Sequence, residues 1–326
     1  MASQEDPSQL PAQVFHLEPV TFLPEREFYW QPPPRSIRSL VVAIALFLVT
    51  AVSTLAAGAQ FAVAYNAGQA PSFDNFFSDY LNTFTNPRLF LSGVPFAATL
   101  LGILLAHELG HFFACRYYRI QATYPFFIPA PTLIGTMGAF IRIRSPIADR
   151  RALFDMAFAG PLVGFLIAVP ALAIATATSK TVTSIDSSSF IFGRPLVQRL
   201  LEAWLRPGIS SAHILLHPVG RAAWVGLFAT ALNLLPAGQL DGGHILYCVT
   251  TGWHRRISLA VAILLVPLGI FFWTGWMIWA VLLFAISFRH PPLMNPWQPL
   301  DRPRRFLAAL ALAIFLLCFM PAPFVI

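Results

Sequence analysis

A chain of 326 residues with 57% hydrophobic and 11% charged side chains carries more apolar surface than one water-facing core can hide. With a mean hydropathy of +0.67, this excludes a soluble globular enzyme, a disordered chain, a coiled coil and a collagen, and places the bulk of the chain in a bilayer. The net charge of +7 rests on arginine, with Lys180 the only lysine, and its short clusters between apolar runs argue for loops at the cytoplasmic face and against a nucleic-acid partner.

Residues 1–38 read as an N-terminal tail on or near the membrane, stiffened by Trp30 and Pro32 to Pro34. Nothing in it reads as a signal peptide, so the apolar run over 39–65 is expected to stay as the first span. A polar linker follows to Arg88, and residues 90–117 form a second span. Pro125, Pro129 and Pro131 forbid a regular helix over the next stretch. With Ala139 to Ile143 alternating as a strand, residues 120–147 read as a β-hairpin or re-entrant element at the cytoplasmic face. A third span covers 152–178, and 179–220 reads as a solvated, mostly polar linker. A fourth span over 221–236 breaks at Pro236 and Gly238, and a helix resumes near Asp241. Apolar pieces at 256–273 and 275–288, the first kinked by Pro267, precede a last span at 306–320.

The expected fold is therefore an all-α polytopic membrane protein of about seven transmembrane helices, with a small membrane-associated β-hairpin or sheet at the cytoplasmic face. The integral membrane domain runs over 39–326, its catalytic core over about 90–255. With the tail inside, most arginines fall in inner loops, although the 179–220 linker also carries basic residues. Cys115, Cys248 and Cys318 form no metal-binding pair by spacing and read as small core residues.

The chemistry centres on Ala-His-Glu-Leu-Gly-His in the second span. On a helix His107 and His111 stand about 40° apart and one turn apart in height, so both imidazoles can reach one ion. Glu108 lies about 60° from His111, placed to take a proton from water rather than to bind the metal. Two His and a Glu inside a span are costly, and a bound cation would offset that cost. Zinc needs a third protein ligand. Asp155 is explained by the adjacent Arg150 and Arg151, or as a charge at a helix N-terminus. Asp241 has no basic residue within ten positions and sits in an irregular segment, Asn-Leu-Leu-Pro-Ala-Gly-Gln-Leu-Asp-Gly-Gly-His, over 233–244. Irregular backbone at membrane depth is tolerated where it lines a site, so Asp241 is the expected third ligand, with water as the fourth.

HELGH in an early span, FAGPLVG in the next and NLLPAGQLDGGH in a later one together resemble the site-2 protease family, over roughly residues 90–255. The resemblance implies a zinc metalloendopeptidase that cuts membrane-protein substrates within the bilayer, in regulated intramembrane proteolysis. It assigns Zn2+ to His107, His111 and Asp241, general-base chemistry to Glu108, and a substrate or oxyanion contact to Asn233. It also implies that strand 135–143 is an edge to which unwound substrate adds, with Gly135 and Gly138 leaving room. The 179–220 linker is too short for a PDZ domain, and a short form without C-terminal nucleotide-sensing domains is expected. Gly164 stands where some relatives have Asn, and with Gly160 and Pro161 it reads as helix packing.

His213 and His217 are also four apart, but no carboxylate lies between them. His244 reads as a supporting donor or replacement ligand, and His254 with Arg255 and Arg256 as interfacial charge. Phe271, Phe272, Trp273, Trp276 and Trp279 read as lipid-facing anchors. The alternatives are a membrane transporter, for which internal repeats are expected and none is found, and an inactive protease-like membrane chaperone, against which Glu108 speaks. A bacterial cytoplasmic membrane is the expected location, with the site nearer the cytoplasmic side; an organelle membrane is the other option. The oligomeric state is not legible.

Overall fold

The computed structural model describes residues 37–71, 76–182, 191–285, 293–295 and 297–325. The expected tail lies outside them, except that Ile37 and Arg38 begin the first helix.

Helix α1 (Ile37–Asn66) has 30 residues, about 45 Å at 1.5 Å each, and is long enough to cross the hydrocarbon with turns to spare. Its buried stripe is small, Ala56 to Ala59 among it, so other backbones come close. The linker that follows holds two short helices, α2 (Phe76–Asn82) and α3 (Pro87–Leu91). Helix α4 (Val94–Tyr117) is the second long apolar helix and carries both histidines.

Strands β1 (Phe126–Pro129) and β2 (Thr136–Phe140) form an antiparallel hairpin pairing Phe126 with Phe140, Phe127 with Ala139 and Pro129 with Thr136. The strand thus starts three residues before the alternating stretch Ala139 to Ile143. The turn fixes this: Gly135 at φ 77° closes it, and pairing begins at the next residue. Residues 142–144 continue with single bonds, Thr123 N–H to Arg142 O at 3.0 Å and Arg144 N–H to Gln121 O at 2.8 Å.

Helix α5 (Arg150–Thr178) is capped by Asp149, whose side chain accepts from the Arg151 and Ala152 amides. Between it and the next long element lie β3 (Lys180–Thr181), β4 (Ile191–Phe192), α6 (Leu196–Leu205) and β5 (Ile214–Leu215). Helices α7 (Pro218–Asn233), α8 (Asp241–Val249), α9 (His254–Phe271), α10 (Gly275–Ala285) and α11 (Arg302–Cys318) and strand β6 (Phe324–Val325) complete the order. Strand β3 pairs with β5 and β4 with β6, each antiparallel.

Among the described residues, four helices, α1, α4, α5 and α9, are long and apolar enough to cross a membrane. The expected count of about seven is therefore matched in part. Helix α7 ends at Asn233 because the Pro236 loop begins there, and its 16 residues give only about 24 Å.

The α4–α5 contact is the most extensive helix pair, and α7 packs against both. Gly110 and Gly160 make it possible: a Cβ on Gly110 would stand 2.6 Å from Ala159 O. The three cysteines are buried and free, as expected of core residues. Two local readings are corrected. Asp155 ignores Arg150 and Arg151 and pairs with Arg304 of α11, Nε to Oδ1 at 2.8 Å and Nη2 to Oδ2 at 2.5 Å, with the Tyr118 hydroxyl also donating to it. Trp276 does not face lipid: it is fully buried and donates to Pro321 O at 2.7 Å, because α10 folds back on α9 and on the chain after α11.

Candidate metal centre

One helix, one loop and one short helix build the centre. His107 and His111 sit one turn apart on α4, both buried, on the face turned to α5. The chain leaves α7 at Asn233, turns through Pro236 and Gly238, and re-enters as α8 with Asp241 in its first turn, where a carboxylate is favoured by the helix dipole. The loop folds tightly onto that start: a Cβ on Gly242 would meet Leu234 O at 2.1 Å. Only glycine lets the backbone come this close.

Asp241 Oδ2 stands 3.4 Å from His107 Nε2 and 3.3 Å from His111 Nε2, and the two Nε2 atoms are 3.1 Å apart. Ligand atoms held 2.0–2.1 Å from a tetrahedral zinc are about 3.3–3.4 Å from one another. Two of the three edges match that figure, and the third, between the two Nε2 atoms, is about 0.2 Å shorter. The three residues are the metal-competent cluster found among the described residues. His111 Nδ1 donates to Met156 O at 2.7 Å, which leaves its Nε2 lone pair aimed at the cluster. A carboxylate and imidazole lone pairs converging in a buried place suit a divalent cation better than one another.

The rings fit against α5 because two glycines face them. A Cβ on Gly160 would stand 2.1 Å from His111 Nε2, and one on Gly164 would stand 3.1 Å from His107 Nδ1. Both positions read as plain packing from the sequence, and the space they leave is filled by the imidazoles themselves.

Glu108 is buried and lines the same cavity, about 240 Å³, as His107, His111, Asp241, Asn233 and His244. Ile141 lines the same cavity, so the chain just beyond β2 lies beside the expected base. An alternation pattern carries no trace of that approach. Asn233 Nδ2 lies 3.3 Å from His107 Nε2, at the rim of the cluster. A second cavity of about 140 Å³ adjoins the first and shares His107, Glu108 and Asn233 with it. Gly138 at φ 103° lines this second cavity, with open space where a Cβ would stand. Gly135 does not reach either cavity: it packs on α1, accepting from Ser53 Oγ at 2.6 Å, and a Cβ there would meet Ser53 O at 2.5 Å. The room expected at Gly135 is taken by α1.

His254 is buried rather than interfacial, its ring Nε2 3.2 Å from Gly238 O, while Ser258 Oγ accepts from Gly238 N–H at 3.2 Å. Helix α9 thus grips the loop that delivers Asp241, a contact invisible in the sequence because α9 lies beyond α8. His217 caps α7 by accepting from Val219 N–H at 3.2 Å, and it joins no metal-competent cluster among the described residues.

Residues 95–275 match the sequence model of peptidase family M50. The chain is 30% identical over 313 residues to EGY1 of Arabidopsis thaliana, named as a probable chloroplastic zinc metalloprotease, covering 89% of this chain and 55% of that protein. It is 33% identical over 262 residues to EGY2 of the same plant, likewise named, covering 76% and 45%. A further likeness, 26% over 191 residues, is to the rice protein named EGY3. The chain spans about half the length of the first two relatives. The names of these relatives place them in chloroplasts, so the expectation of a bacterial membrane is not borne out, while the family match and the four long apolar helices support a membrane location.

Proposed function

Because this chain belongs to peptidase family M50, we propose that it is an intramembrane zinc metalloendopeptidase, hydrolysing peptide bonds within or next to transmembrane segments of membrane-protein substrates in a lipid bilayer. The observation that carries the reading is the triangle of His107, His111 and Asp241 ligand atoms, with edges of 3.1, 3.3 and 3.4 Å, beside a buried Glu108.

His107, His111 and Asp241 hold the zinc. When bound, zinc supplies Lewis acidity that acidifies water and polarises a peptide carbonyl. Glu108 takes the proton from the attacking water and passes it to the nitrogen of the leaving amine. Asn233 donates from Nδ2 to the oxygen that gains charge as the carbonyl becomes tetrahedral. Substrate must be unwound to be cut. The edge of β2 not paired with β1 supplies a strand against which it can lie, and Gly138 leaves space over the second cavity. Ile141, just beyond that strand, lines the same cavity as the base.

The short helices α7, α10 and α11 complete about seven crossings when joined with the loops beside them. Glu108 then lies nine residues, about 14 Å, from the C-terminal end of α4. That end leads to Arg142, Arg144, Arg150 and Arg151, which supports a site nearer the positively flanked face.

The test is metal analysis of the purified chain together with cleavage of a generic single-span substrate. Glu108→Gln should retain zinc and lose cleavage, and a chelator should remove both from the parent. A Glu108→Gln protein that cleaves at the parent rate would refute the base assignment.

A further inference from the structure

Helix α6 buries Val197 together with two polar side chains and turns the rest of its apolar surface outward. Leu196, Leu200 and Trp204 are 47%, 55% and 75% exposed, whereas Gln198 and Glu202 are 6% and 5% exposed. At about 100° per residue, Leu196, Ala203, Leu200 and Trp204 share one face, and Gln198 and Glu202 share the opposite one. The buried pair is tied together, Gln198 Nε2 donating to Glu202 Oε1 at 2.7 Å, and Arg194 Nη1 approaches Glu202 Oε2 at 3.5 Å. An amphipathic helix turns its apolar face to whatever apolar medium adjoins it. Here that medium lies outside the protein.

The position of α6 says what the medium is. It packs on α5 and α11. The last residue of α6's own turn, Arg206, caps the end of the α5 span, donating to Ala177 O at 3.1 Å and Ser179 O at 2.8 Å. The helix therefore lies where the hydrocarbon ends. The basic residues of this connector divide by role. Lys180 donates to Tyr65 O at the end of α1, Arg206 to the end of α5, and Arg221 stacks over Phe192. Arg194 and Arg199 remain exposed beside the apolar face. They open, with Arg206, Ser210 and Ser211, onto a groove of about 660 Å³.

We propose that α6 is an interfacial helix seated in the bilayer surface. Leu196, Leu200 and Trp204 enter the acyl boundary, and Arg194 and Arg199 bind the phosphates of anionic phospholipids. This explains why a connector on the side opposite the other arginine-rich loops carries so much positive charge. Three of its cations hold helix ends or a ring; Arg194, which also faces Glu202, and Arg199, whose Nε donates to Arg194 O at 3.2 Å, stay exposed and hold lipid. The inference is independent of the proteolytic reading.

The experiment places a spin label at Trp204→Cys in the full chain, the three native cysteines being buried. The protein is reconstituted in nanodiscs of phosphatidylcholine, with or without one-third phosphatidylglycerol by composition. Collision rates with oxygen and with a water-soluble nickel chelate report depth. Oxygen should dominate, depth should increase when phosphatidylglycerol is present, and Arg194→Gln/Arg199→Gln should abolish that increase. A label at Leu200→Cys gives the same readout should the Trp204 variant fail to fold. A label accessible to the nickel chelate in both discs overturns the proposal, and so does dipolar broadening between labels, which would put a second copy on this face. A deep label indifferent to phosphatidylglycerol overturns the phosphate contact.

Discussion

Gly160→Ala tests the coordination geometry without touching a ligand. A Cβ at this position would stand 2.1 Å from His111 Nε2 and 2.5 Å from both neighbouring ring carbons. Ordinary contact begins near 3.4 Å, so the ring must retreat by more than 1 Å. A zinc–nitrogen bond of about 2.0–2.1 Å does not stretch that far. The ring cannot swing aside freely either, because its Nδ1 is held at 2.7 Å by Met156 O, one turn earlier on the same α5 helix. Moving α5 away instead would open the Gly110–Ala159 contact. Overpacking of this kind costs about 1–3 kcal/mol, which a folded membrane protein can bear. We expect Gly160→Ala to fold with a slightly lowered Tm, to bind zinc at least about tenfold more weakly by chelator competition, and to lose cleavage. Gly102→Ala, on α4 with open space at its Cβ, should behave as the parent. Parent-like zinc affinity and cleavage in a folded Gly160→Ala protein would show that His111 does not bind metal in this orientation.

Other perturbations separate the remaining parts. His254→Ala removes the partner of Gly238 O and loosens the loop that carries Asp241; zinc affinity should fall about tenfold, and an unchanged value would mean that glycine packing alone fixes the loop. Asn233→Ala should lower kcat by about 10²–10³ with zinc content intact; a change confined to KM would make Asn233 a contact to the ground-state carbonyl instead. Arg304→Ala leaves Asp155 without its cation at the α5–α11 contact and should destabilise the protein by about 2–3 kcal/mol, read as a lower Tm in detergent at unchanged zinc affinity. A zinc loss matching the Tm loss would show instead that α11 supports the centre directly.

The helical half of the centre was legible because a four-residue spacing on a helix is a distance: His107 and His111 must share a face wherever the helix goes. The hairpin was legible as a departure from helix but not in register, since Thr136 pairs with Pro129 outside the alternating stretch, the register shifts before Ala139, and the closing turn at Gly135 decides where pairing starts. Gly160 was not legible as part of the centre, because its contribution is a missing Cβ opposite a ring on another helix. The polarity of α6 was not legible either. Averaged over 179–220 its leucines vanish among serines and arginines, and only packing reveals that Gln198 and Glu202 are buried while Leu196, Leu200 and Trp204 are exposed.

The two intramembrane aspartates show why sequence neighbours mislead and how the structure distinguishes them. Asp155 looked locally satisfied by Arg150 and Arg151, yet its cation is Arg304, 149 positions away. A guanidinium supplied by the chain pairs with it, and shares itself with Asp301. Asp241 looked isolated, and its close ionisable neighbours are two imidazoles, one of which has its proton committed to Met156 O. An uncompensated carboxylate at membrane depth is expensive, and among the described residues no Lys or Arg pairs with Asp241 to offset it. The geometry suits a divalent cation shared by the three ligand atoms. On the proposed reading that cation would lie beside Glu108, which lines the same cavity.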